Sequence, residues 1–178
     1  MRCQPTFTSW WARALVGAPT LLVLLTALNA CGFRLRGPVE LPTVLQDVYI
    51  ESKDPYSGMA RALRTQLQRA GANVLQSPEQ ASAILKVVRE RSENRVLSVG
   101  STGKATEYEL FDEVVFSLSG PGGKELMRSE TLRLTRDLVF DQNELLGKLS
   151  EAESIHRQMR ETLARQILMR IQATMDRQ

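Results

Sequence analysis

The sequence has one histidine, two cysteines, two tryptophans and 6% aromatic residues in 178 positions, and no marked excess of either charge sign: 23 Lys and Arg face 20 Asp and Glu. Each scarcity excludes something. A single imidazole, His156, with no cysteine near it, falls short of the several His or Cys ligands a zinc site takes. Set between Ile155 and Arg157 on a helical pattern, it reads as a surface residue. No Gly-x-Ser-x-Gly elbow frames a serine, and the glycines at 100 and 103 and at 120, 122 and 123 do not open a helix as a phosphate loop does. Catalytic and metal-ligating residues are therefore expected to be absent, and the chain is read as a non-enzyme without a cofactor. A net charge of +3 is too small for the bulk electrostatics of nucleic-acid binding.

What is present is unevenly spread. The first 30 residues hold both tryptophans (Trp10, Trp11), Cys3, Arg2 and Arg13, and no acid. After these two cations the stretch Ala14 to Ala27 is uncharged for 14 residues but is interrupted by Gly17 and Pro19. That is short of the ~20 apolar residues a membrane span needs, and it has the layout of a secretory signal. The run ends Leu28-Asn29-Ala30-Cys31-Gly32, which resembles the lipobox of bacterial lipoproteins. The resemblance implies cleavage before Cys31, a diacylglyceryl group on its thiol and an acyl chain on its amine. It leaves the mature chain with no free thiol in an oxidising compartment. Gly32, standing where an Asp would resemble an inner-membrane retention signal, points to the outer membrane.

Removing residues 1–30 leaves 148 residues with 21 basic and 20 acidic side chains, enough for a single core without a metal or disulfide staple. Residues 31–46 form a lipidated start and a proline-containing extended lead (Pro38, Pro42), and 47–178 a single domain. Asp47 to Ser52 is a strand candidate. Asp54-Pro55 predicts a helix start, Gly71 its end, and Met59, Leu63 and Leu67 its buried stripe. Asn73 to Gln76 extends toward the next strand, Ile84 to Val99, which is expected to break or bulge near Ser92 to Asn94. Ala105 to Ser119 alternates, with Tyr108, Leu110, Val114, Phe116 and Leu118 on one side and Glu107, Glu109 and Glu113 on the other. Gly120-Pro121-Gly122-Gly123 turns it into a second strand, Lys124 to Phe140. A row of Ile155, Met159, Leu163, Ile167, Ile171 and Met175 predicts a last helix capped by Ser150. The fold class is α+β: a two-layer sandwich in the order β-α-β-β-β-α, with a mostly antiparallel four-stranded sheet and two helices packed on one face.

Beyond the pattern, Cys31-Gly32-Phe33-Arg34-Leu35-Arg36-Gly37 resembles the mature start of the LptE family of lipopolysaccharide-assembly lipoproteins. Further likeness follows in register: Glu51-Ser52 before Asp54-Pro55, the helix MARALRTQLQRAG at 59–71, Ala105-Thr106-Glu107-Tyr108, and the long helix after Lys148. The resemblance implies an outer-membrane lipoprotein on the periplasmic side that plugs, and helps assemble, the LptD β-barrel from inside its lumen. It also implies a part in carrying lipopolysaccharide to the outer leaflet, with lipopolysaccharide bound by basic residues at two positions. One matches Lys148. The other falls on Ser101, and Lys104, three residues on, is the cation expected to serve instead. A generic envelope adaptor that binds peptidoglycan or another envelope complex is the alternative.

Overall fold

The computed structural model describes residues 41–139 and 145–177, so the expected signal segment, Cys31 and most of the expected lead lie outside the described residues. Five strands, β1 (Asp47–Ser52), β2 (Asn73–Leu75), β3 (Ala83–Val99), β4 (Ala105–Ser119) and β5 (Glu125–Val139), form one sheet in the order β2-β1-β3-β4-β5. Helices α1 (Gly58–Arg69) and α2 (Leu145–Met175) pack together on one side of it. The architecture is the expected α+β sandwich, with one strand more. The segment expected to run on from Asn73 is instead a separate three-residue edge strand, parallel to β1. β1 is also parallel to β3, while the long β3-β4-β5 meander is antiparallel. A helix crossing back from β1 to β2 requires that parallel pairing.

Local chemistry sets the boundaries. Asp54 does not cap α1: its carboxylate accepts the Tyr56 N–H at 2.9 Å and closes a turn. Ser57 is the cap, its Oγ accepting the Ala60 N–H at 3.2 Å. At the other end Gly71 adopts φ +92°. Its N–H bonds to the Gln68 carbonyl at 3.0 Å and that of Ala72 to Leu67 at 2.9 Å, a Schellman closure only glycine enters without strain. The helix α2 starts at Leu145 rather than at Ser150 and has 31 residues, about 46 Å at 1.5 Å per residue.

One core joins both helices to the sheet: Val48 and Ile50 of β1, Met59, Leu63 and Leu67 of α1, Leu85, Val114, Phe116 and Leu118 of the central strands, and Leu163, Ile167 and Ile171 of α2. Leu45, in the lead, is fully buried in it. A smaller cluster of Leu110, Leu138, Ala152 and Met159 seats the first half of α2 on β4 and β5.

β3 does not break near Ser92 to Asn94, whose residues pair regularly with Asp112, Phe111 and Leu110. The irregularities lie on either side, at Val87/Arg89 and around Ser98. The polar residues that suggested a break point at α2, where they meet His156. That residue is buried, not exposed, because it lies four after Ala152 and three before Met159 on the buried stripe. Its Nδ1 is 3.0 Å from Asp112 Oδ1 and its Nε2 2.8 Å from Asn94 Oδ1, while the Ser92 hydroxyl donates to the same Asp112 oxygen.

Candidate functional site

Three surfaces follow from this frame. The helix-free face of the sheet is polar and self-neutralised. Lys86 pairs with Glu51 at 2.7 Å, Arg89 with Glu113 at 3.1 Å and Arg95 with Glu109 at 3.3 Å, and Arg91 bonds Glu93. The odd-numbered positions of β4 face this side, and Phe111 lies among them, capped by the Arg95 guanidinium 3.9 Å from its ring centroid. The Arg91 hydrogen bond holds the Glu93 carboxyl below its ordinary range against a desolvation that pushes it up, and Arg95 adds to the lowering. A depressed carboxylate stabilises the fold above its unfolded pKa and loses that contribution as pH falls through the folded value. The Arg91–Glu93 pair therefore stands intact at neutral pH. Exposed pairs of this kind contribute little each, so the face is one that tolerates water rather than one that grips a partner.

The second surface is the end of the domain reached by the β3-β4 turn. Gly100 N–H bonds the Lys104 carbonyl at 2.8 Å, Gly103 N–H bonds Gly100 at 2.9 Å with φ +75° at Gly103, and the Lys104 side chain is exposed. Glu107 near the start of β4 pairs with Val139 at the end of β5, and the first turns of α2 lie over the same end through Ala152. Lys148 is in the first turn of α2, its side chain 21% exposed and its Nζ 2.9 Å from Glu151 Oε2. The two candidate lysines thus share one end on separate elements, Lys104 open and Lys148 engaged. Sequence reading missed what surrounds them: Val96, Leu97 and Val99 of β3, Val139 of β5, and Leu146 and Leu149 of α2 are all more than half exposed. Exposed apolar side chains and cations thus occur together on the elements at this end, with Val96 and Leu97, successive in β3, on opposite faces of the sheet. The signal was the pairing of Val96-Leu97-Ser98-Val99 with a glycine loop, an apolar strand end with nothing downstream to bury it.

The third surface is the outer side of the helices. Between α1 and α2 runs a groove of about 370 Å³. Arg160, its side chain only 14% exposed, crosses the start of α1 and shares Glu153 with Arg157, at 3.1 and 3.7 Å. No helix among the described residues is long and apolar enough to cross a membrane.

Known proteins share the arrangement. The solved rare lipoprotein B of Shewanella oneidensis superposes with TM-score 0.63 at 27% identity, over 74% of this chain and 97% of that one. Lipoprotein B of Nitrosomonas europaea gives TM-score 0.63 at 32% identity, over 77% and 88%. The fold is the two-layer α+β class to which these solved bacterial lipoproteins belong. Within it, the family model LptE, lipopolysaccharide-assembly, matches residues 45–171, and the chain belongs to the LptE family. The LPS-assembly lipoprotein LptE of Photorhabdus laumondii is 34% identical over 152 residues, covering 85% of this chain and 81% of its own. That of Yersinia enterocolitica is 30% identical over 154 residues, covering 85% and 72%. The family is one of non-enzymatic lipoproteins of lipopolysaccharide assembly, a role for which the composition, poor in histidine and thiols, is sufficient.

Proposed function

We propose that this chain is an outer-membrane lipoprotein, anchored through acyl chains on Cys31, whose domain plugs the lumen of an LptD-type β-barrel, assists its assembly, and meets lipopolysaccharide at the Lys104–Lys148 end. The observation that carries the reading is family membership combined with the amphiphilic end. Lipopolysaccharide joins phosphates to acyl chains, and that end sets cations beside exposed valines and leucines. The self-neutralised sheet face suits a polar barrel lumen, where charge without a partner is costly and a fully apolar surface finds no counterpart. Nothing in the role needs turnover by the lipoprotein.

Affinity purification of the full lipidated chain from detergent-solubilised outer membrane is expected to bring down a large β-barrel, and a preparation free of one would favour the adaptor reading. For the lipid contact, Lys104→Glu with Lys148→Glu is expected to weaken binding of purified lipopolysaccharide about tenfold or more. Charge-assisted hydrogen bonds contribute ~1.5–3 kcal/mol each, and Lys148 already spends part of its capacity on Glu151. Unchanged binding with a native melting curve would remove both lysines from the site.

A further inference from the structure

Helix α2 is seated in two different places. Its second half, through Leu163, Ala164, Ile167, Leu168 and Ile171, belongs to the main core shared with α1 and the sheet. Its first half rests on the small cluster of Leu110, Leu138, Ala152 and Met159. Between Leu146 and His156 only Ala152 and His156 are buried. One of the two side chains that hold these turns down is thus a methyl group and the other an imidazole. The turns are also poor helix on their own account. The first turn holds no acid to complement the positive end of the helix, and it carries Lys148, a cation where the dipole disfavours one. Gly147 lowers helix propensity by up to about 1 kcal/mol relative to alanine, and nothing lies within 4 Å of where its Cβ would stand. Leu146 and Leu149 are both more than half exposed. Propensity and apolar burial run short over the same turns, and what remains is polar. His156 Nδ1 lies 3.0 Å from Asp112 Oδ1 on β4, and its Nε2 2.8 Å from Asn94 Oδ1 on β3.

We infer that the first turns of α2, Leu145 to His156, form an arm that opens as a unit while the rest of the domain stays folded, and that His156 is the latch holding it closed. Opening breaks little apolar contact, because the main core takes up the helix only from Leu163 onward. It also returns Asp112 to water, restoring the hydration that its buried, partnerless Oδ2 gives up in the closed state. Against this stand two directional contacts made by one ring, which tie the arm to β4 and β3 at once. A helix end with few buried apolar side chains is the kind of element that opens below the free energy of global unfolding. The arm carries Lys148, Leu146 and Leu149, so the latch sets where they stand relative to Lys104 on the β3-β4 turn. This goes beyond the proposed lipid contact and does not depend on it, since the latch acts whatever meets that end of the domain.

Amide hydrogen exchange of the full lipidated chain in detergent, with neither lipopolysaccharide nor a barrel added, tests the device. In wild type the amides of 149–156 are expected to exchange at least tenfold faster than those of 163–171, once intrinsic rates are divided out. His156→Ala is expected to speed the arm at least tenfold further, because it leaves Asp112 buried without its partner in the closed state. His156→Gln, which can still reach one of the two acceptors, should speed it less, and it keeps the latch testable if the alanine chain does not fold. Ile167→Val removes one methyl from the main core and is expected to speed exchange at 163–171 several-fold. It should leave 149–156 unchanged, because the contacts of Ile167 persist when the arm opens. Equal protection along the whole of α2 in wild type overturns the inference, as does Ile167→Val accelerating both halves alike, since either result makes α2 one cooperative unit. Arm exchange unmoved by the His156 variants would assign the hold to Ala152 and its apolar neighbours, and His156 would be no latch.

Discussion

Replacing Asp112 with Ala is expected to destabilise the domain by about 3 kcal/mol, which for a body of this size lowers the melting temperature by roughly 10 °C. The carboxylate is 2% exposed, and its Oδ1 receives the Ser92 hydroxyl and faces His156 Nδ1 at 3.0 Å. Removing it takes the carboxylate partner from His156, whose ring is buried, and from the exposed Ser92 hydroxyl, and a buried group left unpaired costs about 1–3 kcal/mol. The intact network is worth much less than this loss, because Asp112 Oδ2 is itself buried with no hydrogen-bond partner among the described residues. Hence the second half of the expectation: Asp112→Leu, His156→Leu and Ser92→Ala combined should lie within about 1 kcal/mol of wild type, as apolar replacements of a buried polar cluster often do. Thermal unfolding followed by circular dichroism measures both. A single Asp112→Ala variant melting within 2 °C of wild type would show that water reaches the cluster and that it is not a closed network.

The same cluster shows where the sequence was legible and where it was not. The β4-β5 hairpin could be read almost residue by residue, since alternation over 15 positions and a Gly-Pro-Gly-Gly turn leave one register. Asp112 breaks the alternation at an even position between Leu110 and Val114. Parity alone places it on the core face, yet an acid there reads as noise until its partner is known. His156 was misplaced for a related reason. A row drawn at spacing four through Ile155 drifts off the helix's true period, and the stripe that is actually buried passes through Ala152, His156, Met159 and Leu163. Ser92 and Asn94 looked like a broken strand because the side chains that satisfy them come from 20 and 62 residues away. β2 was invisible as a strand of its own, being three residues long and shorter than any period can register. At the candidate site the lysines were nameable one by one. That the apolar residues near Lys104 and Lys148, such as Val99 and Leu149, stay exposed could be known only once the fold shows what is left uncovered.

Cys31→Ala is expected to abolish incorporation of labelled palmitate and to leave in the membrane fraction only the chain that the barrel holds. The case rests on residue types: a small residue precedes Cys31, and no other cysteine remains after residue 30. Each acyl chain adds ~0.8 kcal/mol per buried methylene, and where one chain holds a protein only marginally, several hold it for good. Loss of the anchor is therefore all or nothing. The tether is long enough for the role proposed. Nine residues, 32–40, lie between Cys31 and Leu41, and a fully extended chain over those ten Cα steps would reach at most about 35 Å. That would exceed the ~25 Å height of a barrel's apolar band, as the proposed role requires. Anchoring and docking are then separable. The Cys31→Ala chain, supplied in excess to the periplasm, should still be recovered with the barrel. Palmitate label persisting in Cys31→Ala would show that the lipid is carried elsewhere and that Cys31 is not the attachment point.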